Sequence, residues 1–258
     1  MKKKLYTYDQ NLNLLNQRNN GIVSSAERSF FTEKELGEIA FNSKEDLLSY
    51  FLPQDFKKAE SWSIVLDVVK ENGFQNILSL GAGPCVQEYL LKKALPPEVK
   101  IIATDFDLFT INKVKTFFPE LIVEEFDFFN DEITDLQKRL GIEFDLVIFF
   151  GSSYVMDDID FIKLFGDFKK IGVKRIIDFQ AGYMNYKNVI MNYLPLNINN
   201  FIRKMFRKST LPNKNNTGLF HGYGRNRSEL RSLYKKSDLK LQKELTNKTG
   251  YRYCAILK

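Results

Sequence analysis

Asn76-Ile-Leu-Ser-Leu-Gly81-Ala-Gly83-Pro-Cys85 is an apolar run that breaks into Gly-x-Gly, and after it Val86, Tyr89 and Leu90 fall at helical spacing. Such a run is a buried strand turning sharply into a helix. Gly81 and Gly83 can take a positive φ and carry no side chain to hold a ligand away, and a helix N-terminus offers N–H groups to it. A second apolar run, Val99 to Ala103, stops at Thr104-Asp105. A carboxylate at the tip of that next strand can accept hydrogen bonds from both vicinal hydroxyls of a ribose. A dinucleotide fingerprint requires glycine or alanine where Val86 stands, which argues against NAD.

Working outward, strand and helix signals alternate. Ile77–Leu80, Ile101–Ala103, Ile122–Phe126, Leu146–Phe150 and Arg175–Phe179 read as strands, with helical segments between them. That alternation predicts a doubly wound α/β sheet, mostly parallel, with helices on both faces. Leu239–Leu245 and Tyr251–Leu257 flank the turn-rich Thr246-Asn-Lys-Thr-Gly250 and read as an antiparallel hairpin, bringing the sheet to seven strands. Ahead of the first strand, Met1 to Asn20 reads as a loose polar arm or strap, and Glu33 to Lys70 as helices broken at Pro53. The expected organisation is an N-terminal helical cap or arm over 1–60 and an α/β domain over 61–258. An insertion at about 183–234 forms a lid.

Within the insertion, Asn197 reads as an N-cap, and Ile198, Phe201, Ile202, Met205 and Phe206 fall on one helical face. Arg203, Lys204, Arg207 and Lys208 make this a basic amphipathic helix. It is a lid with a solvated cationic face, a contact for an anionic membrane surface, or a phosphate-capturing element.

At 258 residues, 44% hydrophobic and 27% charged, the composition is that of a globular domain with one substantial core. Two cysteines, Cys85 and Cys254, exclude a disulfide framework and point to a reducing, cytoplasmic setting. No signal-peptide h-region follows the basic start, and no apolar run reaches spanning length. The formal charge of +6 modestly favours an anionic partner, such as a charged small molecule or glycan. Basic residues are not interleaved with aromatics into an RNA-binding module, so nucleic acid is the disfavoured partner.

From about Ser61 to Met184 the chain resembles the class I S-adenosylmethionine-dependent methyltransferases, whose fold is Rossmann-like. Ser79-Leu-Gly-Ala-Gly-Pro-Cys85 resembles their first motif, Asp105 their ribose-binding acid, and Glu125-Phe-Asp-Phe128 their adenine-edge segment. Phe144–Phe150 resembles their fourth strand. Ser79 departs from the usual acid of the first motif, and Cys85 from its third glycine. The resemblance implies S-adenosylmethionine as cofactor, held by Ser79, Gly81, Ala82, Gly83, Pro84, Asp105, Phe106, Asp127, Phe128, Gly151 and Ser152.

Methyl transfer is an in-line displacement, and a hydroxyl acceptor must lose a proton, so the chain needs a shaped pocket and a titratable group. His221 is the sole histidine, set in Gly218-Leu-Phe-His-Gly-Tyr-Gly-Arg-Asn-Arg227. It reads as the base or as a structural residue. Tyr154 reads as a catalytic group or as a wall of the adenine pocket. Tyr223, Arg225, Arg227 and Asp178 are substrate-binding candidates, the arginines as planar donors to phosphate or carboxylate. Asp157 and Asp158 are base, metal ligand or helix N-terminus, and no cluster sufficient for a metal site is present. The function expected is O-methylation of a polar small molecule or of a phosphate-bearing sugar or surface-polysaccharide precursor. N-methylation of a small molecule is the enzymatic alternative, and an RNA-binding or RNA-modifying protein is the alternative of another class.

Overall fold

The computed structural model describes residues 3–7, 43–55, 59–184, 198, 205, 219–246 and 253–258. Strand β1 spans Lys3–Thr7, helices α1 and α2 span Lys44–Asp55 and Ala59–Asn72, and β2 spans Asn76–Leu80. Then come α3 (Val86–Ala94), β3 (Lys100–Asp105), α4 (Leu108–Phe117), β4 (Ile122–Glu125), α5 (Ile133–Leu140) and β5 (Leu146–Phe150). A 3-10 turn at Ser153–Val155 leads into α6 (Asp158–Lys170) and β6 (Arg175–Gln180). The chain continues with β7 (Leu219–Gly224), α7 (Arg227–Lys236), β8 (Leu241–Thr246) and β9 (Tyr253–Leu257).

Seven strands form one sheet in the order β4-β3-β2-β5-β6-β9-β8. The first five are parallel, and β9 inserts antiparallel between β6 and β8. The expected sheet and its closing hairpin are both present. Alternation along each parallel strand explains why both faces are covered. Ile77, Ile101, Ile148 and Ile177 face one core with Val65, Leu91 and Ile111. Leu78, Ile102, Val147 and Phe149 face the other, which includes Phe161, Phe165, Phe168 and Tyr234. That second core is aromatic: Phe161 and Phe165 stack at 4.0 Å, and Phe149 stacks on Phe165 at 5.0 Å.

Two readings of the N-terminal part change. Helix α1 continues through Pro53 to Asp55, since a proline close to a helix end removes little of the hydrogen-bond ladder. Residues 3–7, expected as part of a loose arm or a strap, are a strand paired antiparallel with β7 in a ribbon of its own. Of the amphipathic segment 197–208, only Ile198 and Met205 are described. Both are helical, and both are exposed, at 47% and 67%. The remainder of that segment, its four cationic residues included, lies outside the described residues.

The end of the sheet is locked to α7 by charge. Asn226 and Glu229 form a capping box that starts the helix. Arg227 and Arg231 both bond Glu244 on β8, and the Tyr253 hydroxyl donates to the same carboxylate at 2.7 Å. Burial opposes ionisation of Glu244, but the hydrogen bonds from Arg231, Arg227 and Tyr253 outweigh it and hold its carboxyl at about 2, below the ordinary 4.5. A depressed acid stabilises the fold above its unfolded value and loses that contribution as pH falls through the folded one. Glu244→Gln should therefore lower unfolding free energy at pH 7 by about 1.5–3 kcal/mol, the range for a hydrogen bond to a charged group. Denaturant titrations should show the deficit shrinking as pH falls from 4.5 towards 2.

Candidate active site

The cradle is built at the carboxyl ends of β2, β3 and β5. Gly81 leaves β2 with φ +63°, and the Ala82 N–H donates to the Thr104 carbonyl at 2.8 Å, folding the turn back over β3. A Cβ on Gly81 would lie 2.7 Å from the Ser152 Cβ and 3.4 Å from the Phe128 ring, so three segments converge there. Only glycine suits that φ and that approach. Gly83 (φ +54°) and Cys85 (φ 54°) are also left-handed, and Cys85 caps α3 with its backbone in that conformation. The Ser152 hydroxyl donates to the Leu80 carbonyl, tying the turn after β5 to the tip of β2.

Asp105 stands at the end of β3, 9% exposed. Its Oδ2 accepts the Gly83 N–H at 2.8 Å and its Oδ1 the Asp107 N–H at 3.1 Å. Each carboxylate oxygen has two acceptor positions, and with the Phe106 N–H also directed at the carboxylate, capacity remains for a ligand hydroxyl. Burial pushes its pKa above the ordinary 3.8, and the Asp107 and Gly83 N–H bonds draw it back. Asp127 follows β4 and accepts from the Phe129 N–H at 3.0 Å and from Asn130 Nδ2 at 2.8 Å. Phe126 is tied to the carbonyl of Asp105 by its N–H at 2.9 Å, which sets Asp127 and Phe128 beside the tip of β3. Gly81, Gly83, Asp105, Asp127, Phe128 and Ser152 are thus brought together, with Ala82, Pro84, Phe106 and Gly151 in the same turns. A cradle that a single Cβ would fill, with a carboxylate and an aromatic on its rim, fits a nucleoside-bearing cofactor.

Ser79 is buried under the turn and donates to Glu88 Oε1 at 2.6 Å. Where the resemblance led us to expect an acid on the strand, the carboxylate comes from α3. Glu88 lies at the third position of α3 and is not singled out in the sequence, where an acid in a first helical turn is ordinary.

The acceptor side departs further from expectation. Asp178, named as substrate-binding, is fully buried. It accepts from Ser153 Oγ at 2.5 Å, Gln180 Nε2 at 2.7 Å and the Tyr234 hydroxyl at 2.7 Å, so its role is internal. Burial raises its pKa, against the pull of those three hydrogen bonds. Arg225 is 1% exposed and donates to the Met156 carbonyl at 2.7 Å and to Asp158 at 2.9 Å. Arg227 is committed to Glu244. Both arginines are thus engaged within the fold, although the buried Arg225 Nη1 has no hydrogen-bond partner of its own. Tyr223 is half-buried, its ring 5.2 Å from the Arg225 guanidinium. Asp157 accepts the N–H groups of Ile159 and Asp160 and is the N-cap of α6. Among the described residues no cluster of three or more His, Cys, Asp or Glu could hold a metal ion.

Tyr154 is packed between two glycines. A Cβ on Gly182 would lie 2.9 Å from the Tyr154 Cβ, and one on Gly222 would lie 2.6 Å from its Cε2. Burial raises its hydroxyl pKa above the ordinary 10, and its ring is the seat on which Gly222 of β7 rests. His221 neighbours that contact in β7. The strand register steps from Leu5 opposite Gly222 to Tyr6 opposite Phe220, so His221 is the extra residue of a β-bulge. The histidine side chain lies outside the described residues. Gly222→Ala should push β7 off Tyr154, costing about 1–3 kcal/mol, as overpacking does. Hydrogen exchange should quicken over 219–224 and stay unchanged in β2 and β3.

No protein-family model and no curated protein sequence matches the chain. Solved structures do. Human N-acetylserotonin methyltransferase in complex with SAM matches at TM-score 0.50 and 18% identity, over 95% of this chain and 64% of that one. SAM-bound CalS10, an amino pentose methyltransferase from Micromonospora echinaspora, matches at 0.53 and 10% identity, over 77% and 89%. An O-methyltransferase family protein from Burkholderia thailandensis matches at 0.50 and 13%, over 88% and 62%. The chain thus spans under two thirds of the first and third of these. Its fold is that of the Rossmann-like S-adenosylmethionine-dependent methyltransferases.

Proposed function

We propose that the chain binds S-adenosylmethionine over the glycine turn and transfers its methyl group to an oxygen of a polar small molecule or glycan. The observation that carries this reading is the meeting of Gly81, Ser152 and Phe128 beside Asp105, on a sheet of methyltransferase order. The cofactor supplies an activated methyl on a sulfonium. Asp105 would hold its ribose hydroxyls, and Phe128 and the Ser152 turn would line the same cradle. On this reading His221 would take the proton that the acceptor hydroxyl loses on methylation. A phosphate-bearing acceptor loses its strongest support, because Arg225 and Arg227 are bound within the fold. No described helix is long and apolar enough to cross a membrane, and both cysteines are free, which suits a cytoplasmic enzyme. Calorimetric titration tests the reading: saturable binding of S-adenosylmethionine and of its demethylated product supports it, and binding of NAD in their place refutes it.

A further inference from the structure

The turn after β5 has little to hold it in place by itself. Gly151 leaves the strand with φ +85°. The single 3-10 turn that follows closes on two long bonds, from the Val155 N–H to the Ser152 carbonyl and from the Met156 N–H to the Ser153 carbonyl, both 3.3 Å. Such a turn is too short to fix its own position, so its placement comes from side chains. Two consecutive serines supply it. In the sheet β5 lies between β2 and β6, and Ser152 is bonded to one neighbour while Ser153 is bonded to the other. The Ser152 hydroxyl donates to the Leu80 carbonyl on β2, and the Ser153 hydroxyl donates to Asp178 Oδ1 on β6 at 2.5 Å. The first tether lies at the cofactor cradle, since a Cβ on Gly81 would meet the Ser152 Cβ at 2.7 Å. The second lies in the core, where Ser153 and Asp178 are both fully buried.

A buried carboxylate is a costly way to hold a serine. Ionised, it must be taken out of water, and apolar packing in its place is often neutral or stabilising. Here three donors share it: Ser153, Gln180 Nε2 at 2.7 Å, and the Tyr234 hydroxyl of α7 at 2.7 Å. Gln180 Nε2 also donates to Ser153 Oγ at 2.6 Å, so the serine is fixed from two sides. A carboxylate can accept from all three donors at once, through charge-assisted bonds stronger than neutral ones. What the arrangement gains is a fixed place for residue 153, and residue 152 is its neighbour in the chain.

We infer that Asp178 is a positioning residue of the cofactor cradle, which through Ser153 holds the turn after β5 so that Ser152 meets Gly81 at the tip of β2. This deepens the methyltransferase reading and rests on it.

Ser153→Ala and Tyr234→Phe each delete one hydroxyl that donates to Asp178, but only the serine belongs to the turn. Both variants should unfold at lower denaturant concentration than the wild type, since each leaves the buried carboxylate one donor short. Their ligand binding should differ. By calorimetry Ser153→Ala should bind S-adenosylmethionine and its demethylated product about 10-fold more weakly, the fold-change of one lost hydrogen bond, while Tyr234→Phe binds both as the wild type does. A carboxylate that served the core alone would not separate the two variants in this way. The inference is overturned if Ser153→Ala keeps wild-type affinity, if Tyr234→Phe loses as much affinity as Ser153→Ala, or if Ser153→Ala does not fold. A wild-type chain that binds neither probe refutes the methyltransferase reading instead, and that result precedes any comparison of variants.

Discussion

Asp105→Ala weakens binding of S-adenosylmethionine by about 10- to 150-fold, since a hydrogen bond to a charged group is worth about 1.5–3 kcal/mol. The variant removes the acceptor for the ribose and the acceptor for the Gly83 N–H together. Asp105→Asn separates the two, because an amide oxygen still accepts from Gly83 while the amide nitrogen cannot accept a hydroxyl. Calorimetry should rank wild type above Asn and Asn at or above Ala. The pH dependence has a definite sign. With a folded pKa above 3.8, the carboxylate is ionised only above that raised value, so affinity falls as pH drops through it. Folding responds in the opposite sense: a raised acid binds its proton more tightly in the folded chain, so ionising Asp105 lowers stability as pH rises through the same window. Asn at 105 should flatten both profiles. Cofactor affinity unchanged in a folded Asp105→Ala chain would remove Asp105 from the site.

His221→Ala lowers kcat by about 10² to 10⁴ if the imidazole takes the acceptor's proton, the range for loss of a general base. Cofactor affinity should hold, because Asp105 and the glycine turn lie on other strands. The measurement is methyl transfer from labelled S-adenosylmethionine to a sugar or phenol acceptor selected from a panel. A fall confined to a few-fold would mean that His221 orients the acceptor without taking its proton. A fall in cofactor affinity of the same size as that in kcat would mean that the bulge supports the cradle and not the chemistry.

The glycine turn and the carboxylate beside it were legible because their signals are local. Gly81 and Gly83 announce a left-handed turn, Asp105 ends an apolar run, and both properties belong to neighbours in sequence. The acceptor half was not, because it depends on partners far along the chain. Arg225 reads as a receptor for anions until its burial against Met156 and Asp158 is seen, and guanidinium chemistry is the same in either setting. Asp178 reads as a pocket acid at a strand end, yet Ser153, Gln180 and Tyr234 come from three different segments to fill its oxygens. Strand β1 carries too short a pattern to declare itself, and its partner lies more than two hundred residues away. Ser79 and Glu88 show the same limit within nine residues: the serine was visible as a departure, but the helix carboxylate that it bonds was not.

Strand β9 has a consequence for how the chain reaches its final shape. It enters between β6 and β8, and all five of its residues, Tyr253–Leu257, are buried. During synthesis β2 to β6 emerge first and can already assemble the cofactor cradle, while the free edge of β6 exposes Ile177 and Phe179 backbone to any passing strand. Strand β8 cannot cover that edge, because its pairing partner is β9. A nascent or truncated chain lacking β9 therefore resembles the native protein at its ligand site and an aggregation template at its border. Quality control that senses exposed sheet edges would discard such a chain, even though a test of cofactor binding would pass it.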